Sequence, residues 1–182
     1  MHTRSIGSVL IVAVALAACA DGPDAVSGPD ASLGIDANGT RTVTQFVTGS
    51  AQFYDQARQA WRTFSINGKV MPDGRVDGTW QLRVHRGPNG GAKLHGRVTC
   101  MVIEGNRAWL AGIVEHAVGP GNVGKAYGFK VVDNGEGHQA VPDQFASRRF
   151  PPSAEEYCAE KPDDMAHPVH DMEAGNIQIH AN

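Results

Sequence analysis

The chain has no hydrophobic run long enough to cross a bilayer. Its apolar stretch Val9–Ala18 falls well short of the about 20 residues a spanning helix needs. It has no basic excess either: 16 Lys and Arg stand against 19 Asp and Glu, for a net charge of −3. The basic residues are scattered, so nucleic acid is not an expected partner. No G-x-S-x-G elbow, P-loop or H-E-x-x-H occurs, which removes the usual signatures of hydrolases, nucleotide enzymes and zinc proteases. No catalytic residue and no cofactor is therefore assigned from the sequence. Cysteine is scarce, with three in 182 residues.

The start of the chain is more telling. Arg4 precedes the apolar run, and the run ends in Leu16-Ala17-Ala18-Cys19. Too short to span, it has the form of a secretory signal. The residues Leu16–Cys19 resemble the lipobox of bacterial lipoproteins. That resemblance implies cleavage before Cys19, which becomes the first residue of the mature protein and carries acyl chains such as palmitate. It also implies a place in the bacterial cell envelope and a membrane as partner through the lipid anchor. Ala20, rather than an aspartate, follows the cysteine; by the same resemblance this points to the outer membrane if the organism has two.

Three segments are expected: a signal peptide over 1–18, a lipidated N-terminus and disordered tether over 19–41, and one β-rich domain over 42–182. The stretch Ala20–Thr40 repeats Gly-Pro-Asp-Ala and carries four aspartates with no basic residue. Such composition cannot bury enough surface to offset its ordering entropy. As a flexible coil it would span about 25 Å.

Beyond it, polar and apolar residues alternate with period two, the mark of half-buried strands. Trp80, Leu82 and Val84 alternate with Gln81, Arg83 and His85; Leu94 and Val98 alternate with His95, Arg97 and Thr99. Glycine-rich turns at Met71–Gly74, Arg86–Gly91, Glu104–Asn106 and Asp133–Gly137 separate the runs, as hairpins require. About eight strands are predicted, over 43–55, 60–70, 75–85, 92–104, 106–117, 124–133, 143–149 and 175–180. The fold class is all-β: an antiparallel meander forming a small barrel, with a two-sheet sandwich as the alternative. Pairing Leu82 with Gly96, and Val102 with Ala108, puts Trp80, Val98, Cys100 and Leu110 on one inner face.

One short C-terminal helix is expected to start at Ser153, whose spacing to Glu156 fits a capping box. With Cys19 lipidated, Cys100 and Cys158 form an even pair in an exported chain, which reads as a disulfide; two free buried thiols are the alternative. In the registers above Cys100 points inward. The helix must then cap a barrel mouth, or the face assignment fails at Cys100.

Four groups invite functional readings. Arg83, His95 and Glu115 form a row suited to acid–base work or an exposed charge ladder. His167 and His170, with Asp163, Asp164 and Asp171, are weak metal candidates, and a solvated acidic loop is the stronger reading, so no metal is assigned. Asp133–Gly137 lacks the later ligands of a calcium loop and reads as a hairpin turn. Met101, Ile103, Trp109 and Ile113 form an apolar group opposite the inner face, either an interaction surface or a patch covered by the helix or the C-terminal segment.

The downstream part resembles an uncharacterised type of secreted bacterial β-rich domain. The residues that carry this are Val47–Ser50, Gly78–Leu82, Val131–Gly135 and Gly175–His180. The resemblance implies no activity. The expected function is non-catalytic binding or interaction at the envelope, with an envelope protein or a small ligand as partner. A small-molecule-binding or enzymatic barrel and an envelope scaffold are the alternatives.

Overall fold

The computed structural model describes residues 34–35, 41–42, 45–85, 91–118, 122–137, 141–163 and 169–181. A two-residue ladder joins β1 (Gly34–Ile35) to β2 (Arg41–Thr42), so the segment predicted as a tether over 19–41 carries paired backbone near its end. The signal region and Cys19 lie outside the described residues.

Nine further strands form one antiparallel sheet: β3 (Phe46–Asp55), β4 (Ala60–Val70), β5 (Val76–His85), β6 (Ala92–Glu104), β7 (Arg107–Val118), β8 (Ala126–Val132), β9 (Gln144–Arg149), β10 (His170–Asp171) and β11 (Ala174–His180). From β3 to β9 the order in space is the order in sequence, because each short turn returns the chain to its neighbour. The sheet curls into a half-barrel, with the helix α1 (Ala154–Glu160) outside it.

The alternation in β4 shows why it curls around a core. Ala60, Phe64, Ile66 and Gly68 are buried, while Trp61, Asn67 and Lys69 are exposed. The inner faces together bury Trp80, Tyr127, Phe53, Phe64, Phe129 and Phe145, each under 2 % exposed. Their rings touch at 4.4 Å for Phe64–Phe145, 4.8 Å for Trp80–Phe129 and 5.1 Å for Tyr127–Phe129. At about 150–250 Å² each, these rings dominate the burial that holds the sheet closed.

Two predicted registers are corrected. Leu82 pairs with Leu94, not Gly96, and it is Trp80 that lies opposite Gly96. The slip is two residues, so every side chain keeps its face. The indole decides it: a Cβ on Gly96 would sit 2.6 Å from the Trp80 ring, so only glycine admits the ring there. Between β6 and β7, Val98 does pair with Gly112, but Cys100 pairs with Ala111 and Met101 with Leu110. Thr99 is a bulge residue, and one extra residue inverts the faces beyond it. Cys100 and Val102 therefore turn outward and Met101 turns into the core. A second irregularity leaves Glu115 unpaired, so that His95 lies opposite His116.

The Thr99 bulge resolves the difficulty with the cysteines. Cys100 and Cys158 are disulfide-bonded, with Cα atoms 6.3 Å apart. The helix lies on the outer face rather than in a barrel mouth. Ser153 is the N-cap, its hydroxyl accepting from the Glu156 N–H at 3.0 Å, as the capping box requires. Trp109, Ala111, Ala154, Tyr157 and Cys158 make a second apolar cluster beneath it. Gly128 lets the Tyr157 ring lie against the sheet; a Cβ there would be 2.6 Å from the ring. Arg148 to Glu160 at 2.9 Å and Lys161 to Glu104 fasten the helix end.

The C-terminal segment joins the two edges of the sheet. β10 pairs with β9, and two residues later β11 begins its pairing with β3. Among the described residues, the outer edge of β11 has no further strand beside it in the sheet order. Carboxylates cover it instead: Asp143 accepts from the Ile177 N–H at 2.8 Å and Asp133 from the Ile179 N–H at 2.9 Å. Glu136 accepts from the side chains of Asn176 and Gln178, and these bonds hold its carboxyl below the usual range. An open strand edge is a template for unwanted pairing, and here side chains occupy it.

Candidate functional site

The outer face of β5, β6 and β7 carries a groove of about 500 Å³, lined by Gln81, Lys93, His95, Glu115, His116 and Val118 among others. The registers build it in rows. Thr63, Arg83, Lys93 and Val118 succeed one another across four strands; Ser65, Gln81, His95 and His116 form the next row. The His95 and His116 rings are 5.9 Å apart. The His95 Nδ1 is buried with no hydrogen-bond partner among the described residues.

The expected row of Arg83, His95 and Glu115 does not form. The two-residue shift moves Arg83 opposite Lys93 and puts Gln81 beside His95. The bulge at Glu115 places His116, not Glu115, across from His95. Glu115 turns to Arg97 at 3.6 Å. His95 and Glu115 do share the groove, but not as an aligned acid–base pair.

The four residues expected to make an apolar surface fall on two sides of the sheet. Met101 and Ile103 belong to the inner core. Trp109 is 3 % exposed beneath α1, donates from Nε1 to the Pro162 carbonyl at 3.1 Å, and lies under the Lys130 ammonium. Ile113 is half-buried. The bulge separates the first two from the others, and the helix covers Trp109.

The histidine–aspartate group is not gathered. Asp164 and His167 lie outside the described residues. Asp163 pairs with Lys130 and Arg107, and Asp171 accepts from Gln144. His170 is half-buried, its ring stacked on Phe53 at 4.7 Å. No cluster of three or more metal-ligating side chains occurs among the described residues. Asp133 and Glu136 serve the β11 edge, and Asp133 Oδ1 also caps the turn at Gly135.

Sequence reasoning passed over a buried ion pair. Asp55 is 0 % exposed and Arg62 7 %, with Arg62 Nη2 2.9 Å from Asp55 Oδ2 and Arg58 Nη1 3.1 Å from the same oxygen. Burial alone would raise the Asp55 carboxyl; the charges and hydrogen bonds of Arg62 and Arg58 together outweigh it and hold the pKa below its ordinary value. Both residues occupy inward positions of alternating strands, and that was the available signal.

Burial is the main cause that lowers the His170 pKa from its ordinary 6.5; Arg62 and Arg58 add to it and Asp55 opposes it. The folded state thus resists a proton that the unfolded chain accepts near pH 6.5. Stability from this residue is complete above that value and falls as pH drops through it. In urea melts between pH 7.5 and 5.5, His170→Gln is expected to flatten the pH slope. An unchanged slope would show that His170 does not contribute it.

No protein-family model, no curated protein and no solved structure matches this chain.

Proposed function

We infer that this is a lipid-anchored protein of the bacterial cell envelope whose β-domain is a non-catalytic binding module, taking its ligand on the outer face of β5–β7. The lipobox-like Leu16–Cys19 supports the anchor, and the Cys100–Cys158 disulfide fits an oxidising compartment. One contrast carries the binding reading. The interior is filled by six fully buried aromatic rings, whereas the outer face holds an open groove of about 500 Å³. A barrel that worked through its interior would need that space empty. The scaffold alternative loses its surface, because Trp109 is covered by α1.

Two measurements test this. The wild-type chain should fractionate with membranes and Cys19→Ala should be soluble; a Cys19→Ala protein still held by membranes would refute lipidation as the anchor. Native mass spectrometry of the Cys19→Ala chain, after exposure to extract of its own envelope, should show a retained ligand that is lost in Lys93→Gln/His116→Gln. A bare chain would overturn the ligand-binding version.

A further inference from the structure

The charges around the groove are one-sided. From Thr79 to His85 on β5, Lys93 to Arg97 on β6 and Ile113 to Val118 on β7, the outward positions hold Arg83, Lys93, Arg97 and three histidines, His85, His95 and His116. The single carboxylate among them is Glu115, and Arg97 is its ion-pair partner at 3.6 Å. The chain as a whole carries −3, so this face runs against the balance of the molecule. Lys93 is exposed and has no carboxylate partner among the described residues. Beside these groups Val118 and Val123 are 64 % and 61 % exposed, an apolar margin to a polar groove.

We propose that the groove binds an anionic group, a phosphate or a carboxylate, through Lys93, His95 and His116, with Gln81 as a neutral donor. The apolar part of the ligand rests on Val118 and Val123. The chemistry follows from the row geometry. Lys93 and His95 are two residues apart on the outer face of β6, and His116 lies opposite His95 on β7 with the rings 5.9 Å apart, a spacing at which donors converge on one oxygen-rich group. Charge-assisted hydrogen bonds of this kind are the strong ones. A metal fits less well, because the ammonium of Lys93 shares the groove and Glu115 is engaged by Arg97. The assignment rests on the binding-module reading and names its ligand class. At an envelope the anion has two sources, a soluble phosphate or carboxylate compound and a lipid headgroup.

The test uses the full chain carrying Cys19→Ala, observed by NMR at the histidine ring protons. Titration with inorganic phosphate is expected to give saturable shifts at His95 and His116. Lys93→Gln/His116→Gln should weaken the affinity at least about tenfold and keep the dispersion of the folded spectrum, while Lys69→Gln, elsewhere on the sheet, should not change it. In parallel the chain is floated with vesicles of phosphatidylglycerol or of phosphatidylcholine. Binding to phosphatidylglycerol alone, abolished in the double variant, assigns the headgroup source; phosphate shifts without flotation assign the soluble source. Neither shift nor flotation would overturn the proposal, and so would a double variant that binds as the parent does. An envelope ligand retained in native mass spectrometry without any response to phosphate or phosphatidylglycerol would overturn the anion assignment and leave the binding-module reading in place.

Discussion

Arg62→Met is expected to cost the domain about 3 kcal/mol, measured as a fall in the urea midpoint at pH 7. Methionine keeps much of the apolar stem, so the loss comes from the charge. Asp55 is 0 % exposed, and without Arg62 its remaining ion-pair partner among the described residues is Arg58, whose side chain is 51 % exposed. A buried carboxylate with a weak partner destabilises more than the intact pair stabilises. Two controls follow from that. Asp55→Asn added to Arg62→Met should recover part of the loss, because the uncompensated charge is gone. Acid should act in the same direction. In the wild type the Asp55 carboxyl is held below its ordinary value of 3.8, so its contribution is present above that pH and is lost as pH falls through the lower, folded value. The gap between wild type and Arg62→Met should therefore narrow in acid. A full-sized gap at pH 3, or a double variant no better than the single one, would show that packing rather than charge sets the effect.

Removing the disulfide is expected to have an effect as large. Cys100 and Cys158 are 58 residues apart in sequence, and closing a loop of that length contributes about 4 kcal/mol in the chain-entropy description, an upper value. Cys100→Ala/Cys158→Ala, or reduction of the wild type, should lower the urea midpoint accordingly. The loss has a local signature too. The bond ties α1 over Trp109, and with it Ala154 and Tyr157. Loosening the helix should shift tryptophan emission to the red in native buffer, since Trp80 stays sealed in the core at 1 % exposure. Equal midpoints with and without reductant would mean that the helix is held by packing and by its ion pairs alone.

Much of the fold was legible because strand alternation is a local property. The run predicted over 60–70 is β4, Ala60–Val70, and that over 92–104 is β6, Ala92–Glu104. The helix start at Ser153 was readable for the same reason, as its cap lies within four residues. The small strand β10 was not predicted: two residues are too few for a period. Asp55 and Arg62 stood in plain view at inward positions of β3 and β4. They lie beside the turn between β3 and β4, where a charged residue also fits a solvent-facing strand end, so alternation alone does not mark them as buried.

By itself, the sequence determined that this chain makes antiparallel strands in a meander, which side of most of them faces inward and where the helix begins. All of these follow from spacing along the chain. Register was decided only in three dimensions. A slip of two residues leaves the alternation unchanged, so nothing local distinguishes Leu82 opposite Gly96 from Trp80 opposite Gly96; the volume of an indole does. The inversion at Thr99 was hidden because Cys100, Met101, Val102 and Ile103 are all apolar, and an unbroken apolar run carries no phase. The groove inherits the first decision and a separate irregularity. His95 meets Gln81 instead of Arg83 because the indole on the opposite face sets the two-residue shift, and it meets His116 instead of Glu115 because Glu115 is left unpaired.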